Sequence, residues 1–402
     1  MVAGSWCFTP ICPPYSYKIL NRPSEQIPKH YLSQFAGACM GLRKPPLYDV
    51  HADAGATFTE FGGWDMPVEY DSIKAEHAAV RESVGIFDVS HMSEIEVSGP
   101  DATALMQRLT TNDVTALEPG DSQYSAIVND EGVIVDDTVV YRLPDRDERV
   151  YLFVPNAGHD EEMYDRWTSF RDDWDLDATV EDVTEDWAMF AVQGPDALDS
   201  VTDAASDAAL GDLSKFQATF ADVAGVECWV ARTGYTGEDG FELLCPWADA
   251  ETVWAALEAT PCGLGSRDTL RLEMGYLLSG QDFDPETEPR TPYEAGIGFV
   301  VDLDTEFVGR DALERQREAG VEETFVGFAL LDRGVPRHGY DIANSDGEVI
   351  GVVTSGTMSP TLSEPIGLGY VPVEYADDET EVSVLVRGRE KRAVIVTPPF
   401  IN

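Results

Sequence analysis

One hexapeptide frame occurs twice. Val-x-Gly-Pro-Asp-Ala stands at residues 97–102 and again at 192–197, 95 residues on. Each copy follows an apolar, strand-like run (EIEVS, AMFAVQ) and precedes a helix-like one (TALMQRL, LDSV). Proline already has the φ of a first helical turn, and an acid beside it suits the positive end of a helix. Such a chain folds either as two related α+β lobes or as one lobe with a capping device used twice. At 402 residues it is too long for one ordinary core, so two or three domains are expected. After about Thr291 the rhythm changes. FVGFALLD, EVIGVVTSG, IGLGYVP, EVSVLVRG and KRAVIVTPPF read as strands joined by turn residues, with one short helix over 310–318 ahead of them. The expected organisation is α+β: an extension over 1–45, a two-lobed core over 46–290, and a β-rich barrel or sandwich over 291–402.

Charge narrows the function. There are 74 Asp and Glu against 27 Lys and Arg, a formal net charge of −47, and only six of the cations are lysine. The acid is spread over the whole body. It reads either as an acidic partner surface or as adaptation to molar salt, where the Debye length shrinks to about 3 Å and dense carboxylates no longer repel strongly. Even spread and scarce lysine favour salt. Nucleic-acid binding is excluded on the same ground. No run reaches the roughly 18 apolar residues that span a bilayer, so a soluble cytoplasmic protein without a membrane partner is expected. The six cysteines form no CxxC pair and the six histidines are scattered, so reduced thiols and no metal site are expected. The first 45 residues hold five cations and one acid, Glu25, and no secretory signal. They read as a disordered extension, or as sequence upstream of a true start at Met40.

Chemistry concentrates in GVIVDDTVVY, residues 132–141, where two aspartates interrupt an apolar strand. Alternate residues of a strand share a face. Asp137 then lies with Val133, Val135, Val139 and Tyr141, and Asp136 with Ile134, Thr138 and Val140. SQYSAIV, residues 122–128, reads as the partner strand, with 129–132 as the turn. If Asn129 faces Gly132, the paired numbers sum to 261 and Tyr124 lies opposite Asp137. A carboxylate between two tyrosines on an apolar face is an acid–base or substrate-orienting group, or a buried Asp satisfied by those hydroxyls. The glycine loop TGYTGEDGFE lacks the spacing of a phosphate loop, and no GxGxxG follows a strand. Arg267 stands near the start of a helix read over 265–278, where a cation is disfavoured unless it holds a carboxylate or is offset by Asp268.

Together these segments resemble the T-protein of the glycine cleavage system, the aminomethyltransferase family. The resemblance runs from about Pro46 to Ile401 through PLYDVHADAGATFTEFGGWDMPVEY, GIFDVSHM, YSAIVNDEGVIVDDTVVY, AVQGP, RTGYTGEDGFE, GLGSRDTLRLEMG and TSGTMSPTLSEPIGLGYVP, in family order. It implies two interleaved α+β lobes around a central folate cavity plus a C-terminal β-barrel-like domain. It implies transfer of a methylene carbon from a lipoylated, aminomethyl-bearing H-protein to tetrahydrofolate, with release of ammonia, no metal and no flavin. Folate-dependent demethylases and non-catalytic folate-binding modules share the fold. The second Asp of the pair, Asp137, matches the catalytic carboxylate. Tyr124, Tyr141, Asn156, Glu238 and Arg267 match folate-contacting positions, and Met92 a packing residue near the site. Family members often continue past the terminal PF-aliphatic motif, so any folate contact from such a tail is expected to be lost here or supplied from elsewhere.

The protein melts at a clearly higher temperature in multimolar KCl than in dilute buffer, as followed by circular dichroism. An unchanged midpoint sinks the salt reading.

Overall fold

The computed structural model describes residues 41–144, 150–206 and 208–401. The expectations for residues 1–39 lie outside them. The chain divides between Leu42 and Arg43, and every element described belongs to the body that begins at Arg43.

The repeated frame marks repeated lobes. Strand Ile95–Ser98 leads into helix Ala102–Leu109, then strands Ser122–Val128, Ile134–Arg142 and Tyr151–Val154, helix Asp160–Asp173 and strand Thr179–Asp182. Strand Trp187–Gln193 leads in the same way into helix Ala197–Ala204, strands Ala218–Val223, Val226–Ala231 and Gly240–Pro246, helix Ala250–Ala256 and strand Thr260–Cys262. Each sheet places its three-strand meander first, the strand of the frame beside the third of these, and the last strand beyond. One strand breaks the parallel. Gly85–Asp88, which precedes both lobes, inserts into the second sheet, antiparallel to Trp187–Gln193 and parallel to Thr260–Cys262. The lobes are therefore interleaved.

The frame itself works differently from the capping role expected of it. Neither aspartate caps its own helix. Asp101 accepts from the amide of Asp177 at 2.8 Å, and Asp196 from the hydroxyl of Ser83 at 2.9 Å. Gly99 and Gly194 have φ of +100° and +134°, and a Cβ at Gly194 would lie 2.3 Å from the carbonyl oxygen of Ser83. The glycine admits a neighbouring segment and the aspartate holds it.

Side-chain alternation builds four layers. Along Tyr151–Val154, Tyr151 and Phe153 face a core with Leu105, Met106 and Trp167 of the covering helices, while Leu152 and Val154 face the other lobe. In the second lobe Phe190 and Val192 pack under helices Ala197–Ala204 and Ala250–Ala256, while Met189 and Ala191 turn inward. The two sheets thus meet face to face, helices outside, and Tyr141 of one meets Trp229 of the other edge-on at 6.2 Å. A strand covered on both sides reads as a near-continuous apolar run, as WAMFAVQ does.

The C-terminal strands close a six-stranded barrel, since Glu323–Leu330 pairs with both Pro365–Pro372 and Arg389–Val396. Its sixth strand, Asp341–Ala343, is too short to stand out in the sequence. Helix Leu264–Met274 joins core to barrel. Arg271, almost wholly buried, donates to Asp282 at 2.7 Å, Asp268 at 2.8 Å and Ser355 at 2.8 Å. Asp282 in turn accepts from Thr354 and Ser355 on barrel strand Val349–Met358. Glu273, two residues along, accepts from Arg81, Ser359 and Thr361. Among the described residues, no helix is long and apolar enough to cross a membrane.

Removing one partner of a buried pair leaves the other charge uncompensated. Arg271→Met should therefore cost about 3–5 kcal/mol, read by denaturant unfolding in molar KCl. The double variant with Asp282→Asn should recover part of it.

Candidate active site

The aspartate pair sits on a hairpin whose register depends on two local features. The loop has three residues rather than two. Asn129 N–H donates to Val133 O at 3.0 Å, and the Asn129 side chain accepts from the amides of Glu131 and Val133. Gly132 completes the turn at φ +78°. Beyond it Val128 pairs with Ile134 but Ile127 with Asp136, so Val135 is an extra residue, a β-bulge. The expected register is corrected on both counts. Ala126 lies opposite Asp137, and Tyr124 opposite Val139. Val135 joins the helix-covered core with Val140 instead of sharing the face of Asp137.

Tyr124 still reaches the carboxylate, along the diagonal open to long side chains. Its hydroxyl donates to Asp137 Oδ2 at 2.5 Å. The Asn156 amide donates to Asp137 Oδ1 at 2.6 Å and to Asp136 Oδ1 at 2.7 Å. Asp136 is fully buried and accepts from the backbone of Asn156 and of Asp137. His159 Nδ1 lies 3.1 Å from Asp136 Oδ2. Burial opposes the His159 cation, but Asp136, with Glu162 and Asp137, outweighs it and carries the pKa up to about 9. Burial and the charge of Asp136 push the Asp137 carboxyl up to about 6, against the Tyr124 and Asn156 hydrogen bonds, which favour the ionised form. Asp136 thus holds Asn156, and Asn156 holds Asp137.

The remaining expected residues divide. Arg267 lies in the first turn of helix Leu264–Met274, its guanidinium 4.4 Å from the Tyr235 ring centre. It forms no ion pair among the described residues, because the neighbouring Asp268 is taken by Arg271. Burial lowers its pKa. Met92 is half-buried against the interlobe core. Tyr141 shares the inward face of Asp137 but lies deeper, fully buried. Glu238 stands apart: its carboxylate pairs with Arg81 Nη1 at 2.8 Å, in the cluster that holds Glu273. The second glutamate of the glycine loop, Glu242, sits closer to the site. It accepts from Thr233 at 2.6 Å, burial raises its pKa, and the Arg267 charge opposes that rise.

A partly exposed row and a set of orphaned atoms mark a cleft. Tyr124, Asp137, Asn156, Tyr235, Glu242 and Arg267 are all half-buried, on elements whose adjacent residues are largely buried. Behind them, the Tyr141 hydroxyl, Trp229 Nε1 and both ring nitrogens of His91 are buried without hydrogen-bond partners among the described residues. Buried polar groups are rarely left so. Burial and the Arg267 charge push the His91 pKa down to about 3, so its ring is neutral. Phe299, strongly exposed, lies 6.3 Å from the Tyr124 ring at the rim. His91, Trp229 and Glu242 escaped the sequence reading. An isolated histidine or tryptophan carries no spacing signal, and Glu242 differs from Glu238 only in the strand position that aims it inward.

Comparison with known proteins meets this geometry. The GCVT N-terminal domain model matches residues 47–305, and the glycine cleavage T-protein C-terminal barrel domain model matches 324–402. A probable aminomethyltransferase of Natronomonas pharaonis is 64% identical over 90% of this chain and 99% of its own. The aminomethyltransferase of Rubrobacter xylanophilus is 48% identical over 89% of this chain and 94% of its own. The crystal structure of glycine cleavage system aminomethyltransferase T from Bartonella henselae superposes with a TM-score of 0.82 at 32% identity, covering 90% of this chain and 98% of that one. With its interleaved lobes, closed barrel and buried aspartate pair, this chain belongs to the aminomethyltransferase family, the T-proteins of the glycine cleavage system.

Proposed function

We propose that the protein moves the methylene carbon of an aminomethyl group, carried on the lipoyl arm of H-protein, to tetrahydrofolate and releases ammonia, with Asp137 as the catalytic carboxylate. The observation that carries this reading is the Tyr124–Asp137–Asn156 triad at the mouth of the interlobe cleft. The residues suit a flat, polar-edged ring system. The orphaned Tyr141 hydroxyl, Trp229 Nε1 and His91 nitrogens supply hydrogen-bonding groups, and Arg267, without an ion pair among the described residues, is a cation for a carboxylate tail. Tetrahydrofolate, when bound, supplies the nucleophilic nitrogens that receive the carbon. Arg267, Glu242 and Tyr124 hold and orient it, with Tyr141 behind; Met92 shapes the wall. Glu238 acts at one remove, by fixing Arg81 and so the glycine loop.

Asp137 performs the proton work. A carboxylate near pKa 6 is ionised at neutral pH yet basic enough to take a proton from an amine nitrogen as that nitrogen attacks carbon. Tyr124 and Asn156 fix its two oxygens, so the proton moves to a positioned acceptor. Asp136, paired with His159, stays in place as the group that orients Asn156. Much of the rate comes from holding two large reactants in register.

Three outcomes test this in the ammonia-release assay with lipoylated H-protein. Asp137→Asn lowers kcat by roughly a hundredfold to ten-thousandfold, with folate binding largely kept. Its stability does not fall. The folded pKa of Asp137 lies above its unfolded value, so folding binds the proton more tightly. Stability is lost as pH rises from about 4 to about 6, and ionisation works against the fold above that. The amide variant escapes this cost and melts no lower than wild type at neutral pH. Finally, wild-type turnover rises through about pH 6. Tyr124→Phe removes a hydrogen bond that favours the anion, so its acid limb moves to higher pH. A normal kcat for Asp137→Asn ends the assignment.

A further inference from the structure

The turn over residues 156–159 places a histidine where a capping residue belongs. His159 is the N-cap of helix Asp160–Asp173, and its side chain makes no cap hydrogen bond. Ser, Thr, Asp and Asn are the residues that hold a helix start, and the positive end of the dipole disfavours a cation there. The ring turns instead toward the aspartate pair. His159 N–H donates to Asn156 O at 3.0 Å, and Met163 N–H donates to His159 O at 2.9 Å, so the backbone of the turn is fixed at both ends. Gly158, at φ +79°, packs so closely on the neighbouring hairpin loop that a Cβ would lie 2.8 Å from the Gly62 carbonyl oxygen. One tight turn thus delivers both Asn156 and His159 to Asp136.

The two carboxylates crowd each other. One nitrogen, Asn156 Nδ2, reaches an oxygen of each, at 2.7 Å for Asp136 and 2.6 Å for Asp137. Of two like charges this close, one holds its proton to higher pH unless a cation offsets the other. His159 Nδ1, 3.1 Å from the second oxygen of Asp136, brings that cation, and the approach is one of charge rather than of an aligned hydrogen bond. Facing the ring are Asp136 and Asp137 on their strand, Glu162 on the helix and Asp284 on the loop that follows helix Leu264–Met274. Arg166, further along the same helix, donates to Val128 O at 2.7 Å and is balanced by Asp130 and Glu162. Burial opposes the charge on His159, and Asp136, Glu162 and Asp137 outweigh it, so the ring stays charged up to about pH 9.

We infer that His159 is a positioning residue for the transfer: its imidazolium holds Asp136 ionised against Asn156 and so sets how readily Asp137 gives up its own proton. The task of Asp137 itself rests on the reading above. His159 acts through Asp136 and Asn156. Without its cation, two carboxylates share one amide nitrogen with nothing to offset their repulsion, and the pair keeps a proton to higher pH, whichever oxygen carries it. The His159 side chain is 29% exposed, so the ring exchanges its proton directly with solvent.

Nitrogen NMR of the imidazole rings tests the pair without turnover. His159 should titrate near pH 9 and fall toward the ordinary histidine range in Asp136→Asn; His159→Gln assigns its signal among the six histidines. In the ammonia-release assay, His159→Gln should move the acid limb of kcat/KM up by about one pH unit, with the plateau rate largely kept. His159→Lys, which keeps a cation, should hold the limb nearer its wild-type position. The folded pKa of His159 lies above its unfolded value, so its contribution to stability is present at low pH and lost as pH rises. The melting advantage of wild type over His159→Gln should therefore be full below about pH 6.5 and gone above about pH 9. A His159 that titrates as a free imidazole overturns the inference, as does a folded Gln variant with the wild-type acid limb. An equal shift in the Gln and Lys variants marks lost packing rather than lost charge and also counts against it. Normal turnover by Asp137→Asn overturns the reaction instead and leaves the titration of His159 as it was.

Discussion

Everything in the core rests on two sheets burying their inner faces against each other. Tyr141 and Trp229 meet edge-on at the centre of that contact, ringed by Leu152, Val154, Met189, Ala191 and Leu244. Aromatic pairs of this kind add to area burial and fix a distance between sheets. The contact is sealed along most of its length and polar at one place. There the strands present Asp137, Asn156, Tyr124 and, from the other lobe, Tyr235 and Glu242. The apolar contact sets the low-polarity surroundings that lift the Asp137 pKa, and it holds the two lobes' polar groups within reach of one bound molecule.

Much of this was legible in the residues. The duplicated Gly-Pro-Asp frame announced two lobes because it repeats a junction, although its aspartates tie to Asp177 and Ser83 rather than to their own helices. The aspartate pair stood out because burial makes a carboxylate costly. The bulge at Val135 was not legible: one extra residue leaves no mark in an alternating pattern, yet it reset every cross-strand pair beyond it. Nor was the insertion of Gly85–Asp88, since tertiary pairing decides which sheet a four-residue apolar strand joins. Glu238 and Glu242 differ by position on a hairpin that only the fold orients.

The acidity of the chain has two sides. Spread over the body, carboxylates hold the surface in salt. Inside, a cation without an ion pair among the described residues is informative. Arg267 is conspicuous because Asp268, Asp282 and Glu273 are already committed to Arg271, Arg81 and the barrel hydroxyls.

Helix Leu264–Met274 therefore serves three masters on three sides. Arg267 looks into the cleft, Arg271 into the barrel strand, and Glu273 toward Arg81 and the loop at Ser359. Such a shared element couples pieces that would otherwise melt apart. The barrel, which could have unfolded as a separate unit, holds the groups that neutralise the helix, and the helix holds the cleft. Loosening either end strips charge partners from the other. The core and barrel should thus lose their structure in one cooperative step, and in this protein a domain boundary in the chain is no boundary in the unfolding.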